Sequence, residues 1–237
     1  MTPEEIERAL ADLANPRKAI QRPAAERLAE AARTEPSLRA RIAASLSSDD
    51  PRRRWGAAYA LTLLDHAPLD AMPVLLDALG SSDGDVRWAA ARLVTRAARE
   101  VPRLTDDLRR LVTAASPLQR KMALYCLRDM ADASVLSRGI VAPALTDVEP
   151  AVRLAAMATM AALGPRTTET ADLIAALLDD GDPGVRRAAA ATLGQLGVRT
   201  PAIEERLGRA SVSGDPALER AARQALSRLA AVAASDR

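Results

Sequence analysis

Phenylalanine is absent from the 237 residues, and two Trp and two Tyr make up the whole aromatic content. A compact globule of this length draws much of its buried area from aromatic rings, so this supply argues against one. An alanine- and leucine-rich chain suits closely stacked helices better. Cys126 is the one cysteine, which excludes a disulfide framework and a thiolate metal cluster. In the second helix of its repeat it reads as a small core residue. His66 is the one histidine, and no Cys or acid stands near it at a metal-site spacing; it reads as a loop residue. No phosphate loop or dinucleotide fingerprint of glycines occurs. No apolar run approaches the roughly 20 residues that a membrane span needs. The opening Met1, Thr2, Pro3, Glu4, Glu5 is acidic and does not start a secretion signal. The expectation is a soluble, cytoplasmic protein without membrane segment, metal or cofactor. A net charge of +2 and a pI near 9.1 are only mildly basic and do not by themselves call for nucleic acid.

What is present is repetition. Ala24, Ala57, Ala90, Ala123, Ala156, Ala189 and Ala222 fall 33 apart without a gap. Four residues on, the same spacing gives Leu28, Leu61, Val94, Leu127, Met160, Leu193 and Leu226. A third column reads Ala9, Ile42, Leu75, Leu108, Val141, Ile174 and Leu207. A fourth reads Leu13, Leu46, Leu79, Val112, Leu145 and Leu178, failing only at Ser211. A fixed period of this size marks stacked supersecondary units. The repeats are 2–34, 35–67, 68–100, 101–133, 134–166, 167–199 and 200–232, forming one domain over 1–232 with a tail at 233–237.

Each repeat holds two helices. Asp50, Asp83, Ser116, Glu149, Asp182 and Asp215 precede the second one, and all but Glu149 are good N-caps for an orphaned backbone N–H. Pro51, Pro117, Pro150, Pro183 and Pro216 follow at the first helical position, where a missing N–H costs nothing. Thr2-Pro3 and Thr200-Pro201 open first helices in the same way. Gly164 and Gly197 close second helices where a left-handed cap suits glycine. Helices of about 11 and 14 residues result, with boundaries good to a few residues. The positions of Ala57, Leu61 and Leu64 form the buried stripe, which only stacking on neighbouring repeats can cover.

The run Asp182-Pro183-Gly184-Val185-Arg186, followed by Ala189, Ala190 and Leu193, resembles the signature of short bacterial HEAT-like repeats. Asp83 to Val94 and Glu149 to Met160 repeat it closely. The resemblance covers residues 2–232 and implies an all-α fold, a right-handed superhelical α-solenoid of seven 33-residue helix–turn–helix (HEAT-like) repeats. Ankyrin repeats share the period but require a T-P-L-H hairpin that is absent here. The signature arginines Arg54, Arg87, Arg120, Arg153 and Arg186 are expected to pair with acidic caps of their own or adjacent repeats. Gln21 and Glu219 replace them in the end repeats, where a capping face is needed.

In HEAT-like solenoids the second helices line the concave side, so the stripe opposite the buried one should face the groove. All four aromatic residues fall on two adjacent rows of that stripe, as Trp55, Tyr59, Trp88 and Tyr125. Arg52, Arg92, Lys121 and Arg128 accompany them, with Arg96 and Arg99 nearby and Asp85, Asp129 and Asp132 tempering the charge. Aromatic side chains beside arginine are favoured anchors for a partner. The competing reading has Trp55 and Trp88 packing on one another to fill a tight groove. Further along, Leu154, Ala158, Ala161, Gly184, Ala191 and Gly194 present a smooth stripe suited to close approach of a partner. Arg53 stands where Ile20, Val86, Val152, Val185 and Leu218 stand elsewhere, and reads as part of a solvated, arginine-rich helix start.

These features point to a non-catalytic interaction or scaffold module that binds a protein partner in its groove. The alternative is nucleic-acid binding. HEAT-like alkylpurine DNA glycosylases use Trp, Tyr, Arg and a carboxylate in such a groove, a part that Trp55, Trp88, Tyr125 and Asp85 or Asp129 could imitate. Nearly balanced charge and the lack of any insertion to shape a base pocket weigh against it. Similar repeats also occur in lyases that attach bilin pigments, a likeness of fold alone.

Overall fold

The computed structural model describes residues 1–65, 68–114, 116–131, 138–164 and 166–235. His66 and Asp132 lie outside the described residues. Among those described there are fourteen α-helices and no strand. The first helices of the repeats are α1 (Pro3–Asp12), α3 (Pro36–Ala44), α5 (Met72–Ala78), α7 (Arg103–Ala114), α9 (Arg138–Ala144), α11 (Thr168–Ala175) and α13 (Pro201–Ala210). The second helices are α2 (Lys18–Ala32), α4 (Pro51–Leu64), α6 (Gly84–Ala98), α8 (Pro117–Asp129), α10 (Pro150–Leu163), α12 (Pro183–Leu196) and α14 (Pro216–Ser235). Two first helices are only seven residues long. Next to α3, α5 and α11 the backbone tightens into short 3₁₀ turns, at Ser45–Ser47, Leu69–Ala71 and Ala176–Asp179. The chain divides into two compact units, Met1–Leu108 and Arg109–Arg237. Among the described residues, no helix is long and apolar enough to cross a membrane.

Burial follows the columns of the sequence. All seven alanines of the Ala57 column are completely buried. So are Ala9, Ile42, Leu75, Leu108, Ile174 and Leu207, with Val141 nearly so. Leu46, Leu64 and Leu226 are exceptions, each half-buried. A methyl at the centre of each inter-helix contact lets the backbones approach, and the larger aliphatic side chains one turn away supply the apolar area.

The capping chemistry is as read. Asp50 accepts from the Arg52 N–H at 2.8 Å, Asp182 from that of Val185 at 3.0 Å, and Asp215 from that of Ala217 at 2.9 Å. Glu149 makes no side-chain cap. Thr2 and Glu5 form a reciprocal capping box. Gly197 takes the left-handed conformation, φ 69°. Gly164 does not: its φ of −70° and ψ of 148° are extended. Glycine is required there by proximity instead, since a Cβ would lie 2.4 Å from the Met160 carbonyl oxygen.

The inter-helix loops carry a device that sequence reading missed. In six of the seven repeats, all but the one capped by Ser116 where Ala114 stands, the residue two before the cap accepts a hydrogen bond from the cap's own N–H. Ser48 does so for Asp50 at 3.2 Å, Ser81 for Asp83 at 3.2 Å, Asp147 for Glu149 at 2.9 Å and Asp180 for Asp182 at 2.8 Å. Asn15 and Ser213 play the same part for Arg17 and Asp215. The signal was legible as Asn, Ser or Asp at 33-residue spacing, types that turn the backbone by this bond.

The signature arginines complete these loops. Arg54 donates to the Ser48 carbonyl at 2.8 Å, Arg153 to that of Asp147 at 2.7 Å and Arg186 to that of Asp180 at 2.9 Å. The expected ladder exists, but its acidic partner is mainly the turn residue of the next repeat rather than the cap. Arg120 grips both Asp147 oxygens at 2.7 and 2.8 Å, and Arg153 both Asp180 oxygens at 2.7 and 2.6 Å. Where that residue is Ser213, Arg186 reaches the cap Asp215 at 3.6 Å. Arg120 holds the Asp147 carboxyl below its ordinary range. Burial pushes the Asp180 carboxyl up, and the bonds from Arg153 and the Asp182 N–H outweigh it, leaving it lowered. In the first repeat Gln21 stands in, donating to the Leu13 and Arg52 carbonyls at 2.7 and 3.1 Å.

Candidate functional site

The stripe opposite the alanine column divides between the two compact units. In the first, α2, α4 and α6 share one face that curves inward. Lys18 at the start of α2 passes the N-terminus of α4 and binds Asp83 at 3.0 Å and Asp85 at 2.6 Å, at the start of α6. These bonds, that to Asp85 foremost, raise the Lys18 pKa, and the bond from Lys18 lowers that of Asp83. This bond between the first and third repeats draws the N-terminal ends of α2 and α6 together across that of α4. Sequence reading missed this bridge; its one local trace is that Lys18 replaces the proline or glycine found at the first helical position elsewhere.

On that face Trp55 and Tyr59, one helical turn apart, stack with ring centroids 6.1 Å apart and planes at 26°. Both rings are half-buried. Trp55 borders a recess of about 380 Å³ at the N-terminal ends of the second helices, with Lys18, Asp50, Arg52 and Asp83 on its walls. Tyr59 borders another, of about 330 Å³, towards their C-terminal halves. Arg22 from α2 and Arg92 and Arg96 from α6 line this second recess together with Thr62, and no acidic side chain does. Arg96 donates to the Thr62 carbonyl at 3.2 Å, while its Nε is buried without a partner. Trp88 remains 46% exposed, which places a large apolar surface in water one turn before Arg92. Arg52 is exposed, and its carbonyl is held by Gln21. Arg22 was legible as a member of the Trp55 row, but only the bend brings it opposite Arg92.

In the second compact unit the remaining predicted residues sit on α8. The Arg128 guanidinium carbon lies 4.8 Å from the Tyr125 ring centroid, a cation–π contact. Arg128 also binds Asp129 at 2.9 Å. Lys121 is half-buried one turn before Tyr125. The smooth stripe expected further along is partly consumed within the fold. Gly194 of α12 is buried against α14, so close that a Cβ would lie 2.8 Å from the Ala225 Cα. Cys126 is buried. Among the described residues no group of three His, Cys, Asp or Glu is arranged to hold a metal ion.

Residues 139–227 match the family model for HEAT repeats. No curated protein sequence matches the chain. Among solved structures, the archaeal HEAT-like repeats protein from Thermococcus onnurineus NA1 is similar over 98% of this chain and 99% of its own, with 13% identity and a TM-score of 0.55. An engineered protein is similar over 81% of this chain and 96% of its own, with 19% identity and a TM-score of 0.51. A second engineered protein shares 20% identity over 94% of this chain and 68% of its own, with a TM-score of 0.51. At these identities the likeness is one of fold. The repeat columns, the family match over residues 139–227 and the shared architecture give this chain the fold of HEAT-like repeat proteins.

Proposed function

We propose that this chain is a non-catalytic interaction module that binds a segment of a protein partner on the inner face of its second helices. The anchors are Arg52, Trp55, Tyr59, Trp88 and Arg92 in the first compact unit and Lys121, Tyr125 and Arg128 in the second. One observation carries the reading. Every aromatic residue lies on the stripe opposite the completely buried alanine column, and Trp88 is 46% exposed. The repeat fold is complete without aromatics there, as the later repeats demonstrate with Leu154, Ala158 and Arg187. An exposed aromatic that packing does not require marks an interaction site.

The glycosylase alternative is weakened by the carboxylates it would need. Asp85 is bonded to Lys18 at 2.6 Å and Asp129 to Arg128 at 2.9 Å, so each carboxylate already faces a cation of the chain.

The test is affinity capture with the wild-type chain and a Trp55→Ala/Trp88→Ala variant, followed by titration of the protein that is captured. The variant should bind roughly thirtyfold more weakly, the equivalent of about 2 kcal/mol, and keep its helical content. Unchanged affinity with a collapsed melting temperature would make the tryptophans core residues and overturn the proposal.

A further inference from the structure

The inner face of the first compact unit is electrically lopsided along the helix axes. At the N-terminal end the walls hold Asp50 and Asp83 with Lys18 and Arg52, a balanced set. Towards the C-terminal halves, Arg22, Arg92 and Arg96 converge on one recess without an acid on its walls. Arg22 and Arg92 are exposed and make no ion pair among the described residues. Arg96 is held at one nitrogen only and has an unpartnered buried Nε. Glu26, one turn beyond Arg22, is the nearest acid in the stripe, and it does not reach the recess. The ladder guanidiniums, by contrast, each satisfy loop carbonyls or a carboxylate. Three that converge from two helices with spare donors are therefore set up to receive an anion. The Trp55–Tyr59 stack lies beside the recess and supplies apolar area.

Resting on the interaction reading above, we infer that the first compact unit recognises an acidic side chain of an extended protein segment in the Arg22–Arg92–Arg96 recess. An apolar or aromatic residue of the same segment covers the Trp55–Tyr59 stack. The spacing follows from the helix. Trp55 and Thr62 are seven residues apart, a rise of about 10 Å, which an extended peptide spans in about three residues. The favoured motif is an apolar anchor with Asp or Glu two to four residues away. A nucleic acid fits less well, because its phosphates repeat every few ångströms while the unbalanced positive charge is confined to one end and, at the other, Asp50, Asp83 and Asp85 offset Lys18 and Arg52.

The test is selection of a displayed random peptide library against the full chain. Selected peptides are then titrated against wild type, Arg22→Glu/Arg92→Glu, Arg92→Lys and Trp55→Ala. The glutamate substitutions fall on exposed side chains without bonds, and urea melts check that the fold survives. Enriched peptides should carry the motif. The double variant should weaken them about tenfold or more and abolish the preference for acid, while Arg92→Lys retains it. Trp55→Ala should lower affinity and leave the acid preference intact. Peptides enriched without an acid but sensitive to Trp55→Ala overturn this inference and leave the interaction reading standing. Peptides indifferent to all variants, or no binder at all, count against both. A single-stranded oligonucleotide that binds with steep salt dependence and is lost in the double variant, with no peptide enriched, replaces the acidic segment with nucleic acid.

Discussion

Asp179 and Asp180 are neighbours in one loop, yet their arginine partners should differ several-fold in worth. Arg153 holds Asp180 through two parallel bonds of 2.7 and 2.6 Å, with side chains only 13% and 7% exposed. Arg206 approaches Asp179 at 3.8 Å, with exposures of 36% and 73%. For the first pair, charges about 4 Å apart at an effective dielectric of 20 attract by about 4 kcal/mol. Desolvating both groups offsets part of this. A double-mutant cycle with alanine at each position should therefore report a coupling of about 2 kcal/mol, against less than about 0.5 kcal/mol for the exposed pair. The single change Asp180→Ala should cost more than the coupling, about 3 kcal/mol, since it leaves the buried Arg153 without its bidentate partner and removes the acceptor for the Asp182 N–H. Urea denaturation followed by far-ultraviolet circular dichroism measures both cycles, with unchanged m values as the condition for comparing midpoints. Equal couplings for the two pairs would refute the claim that the buried bidentate rungs, and not surface ion pairs in general, lock adjacent repeats.

The ladder also makes stability depend on acid. Asp147 and Asp180 are held below the ordinary carboxylate range, so their contribution is complete above about pH 4 and disappears as pH falls through the lowered folded-state values; an Asp147→Asn/Asp180→Asn variant should show a flatter loss of urea midpoint below pH 4 than wild type. Ser213 occupies the turn position held by Asp147 and Asp180, and the carboxylate that Arg186 reaches is that of Asp215, at 3.6 Å; Ser213→Asp should supply the missing rung and raise stability by about 1 kcal/mol, and an unchanged melt would refute it. Leu127 is completely buried, whereas Leu226 is half-buried in the last repeat; alanine should cost about 2–5 kcal/mol at the first and clearly less at the second, and equal losses would contradict nearest-neighbour stacking. Gly194→Ala must push α14 away and should destabilise by about 1–3 kcal/mol. Gly208→Ala, with nothing within 4 Å of the added methyl, should gain up to about 1 kcal/mol of helix propensity, so thermal shifts of the same sign would undo the argument.

Helix punctuation was legible because it is local chemistry. A cap such as Asp182 needs only the N–H of Val185, three residues on, and no tertiary neighbour alters that. The buried columns were legible because seven repeats print the same packing seven times, so Ala57 and Ile42 announce themselves by recurrence. What escaped depends on distances that sequence does not encode. The ladder arginines were expected on the acidic caps; Arg120 and Arg153 instead grip the turn carboxylate of the next repeat, 27 residues on, a separation that only the stacking of the repeats closes. Gly164 was expected to be left-handed; its glycine is demanded by a carbonyl oxygen, which exerts the same selection through sterics instead of φ. Lys18 and Asp85 are 67 residues apart, and only the bend of the first compact unit brings them together. For the candidate site, the rows of aromatics could be read directly, but the meeting of Arg22 with Arg92 could not.

Every repeat buries the same alanine, so that column does not distinguish one part of the array from another. Differences must arise from side-chain volume at the stripe facing away from it. Where α4 and α6 present Tyr59, Arg92, Leu93 and Arg96 to one another, a recess of about 330 Å³ opens beside them. Where α12 and α14 meet through Gly194 and Ala225, a Cβ on the glycine would lie within 3.0 Å of two atoms, and the seam is shut. The fold tolerates both outcomes, since neither touches the buried columns. A recess can therefore be gained or lost by a few large-to-small exchanges on a single helical stripe, and on the proposed interaction reading the departures from the repeat, not the repeat itself, would set the specificity.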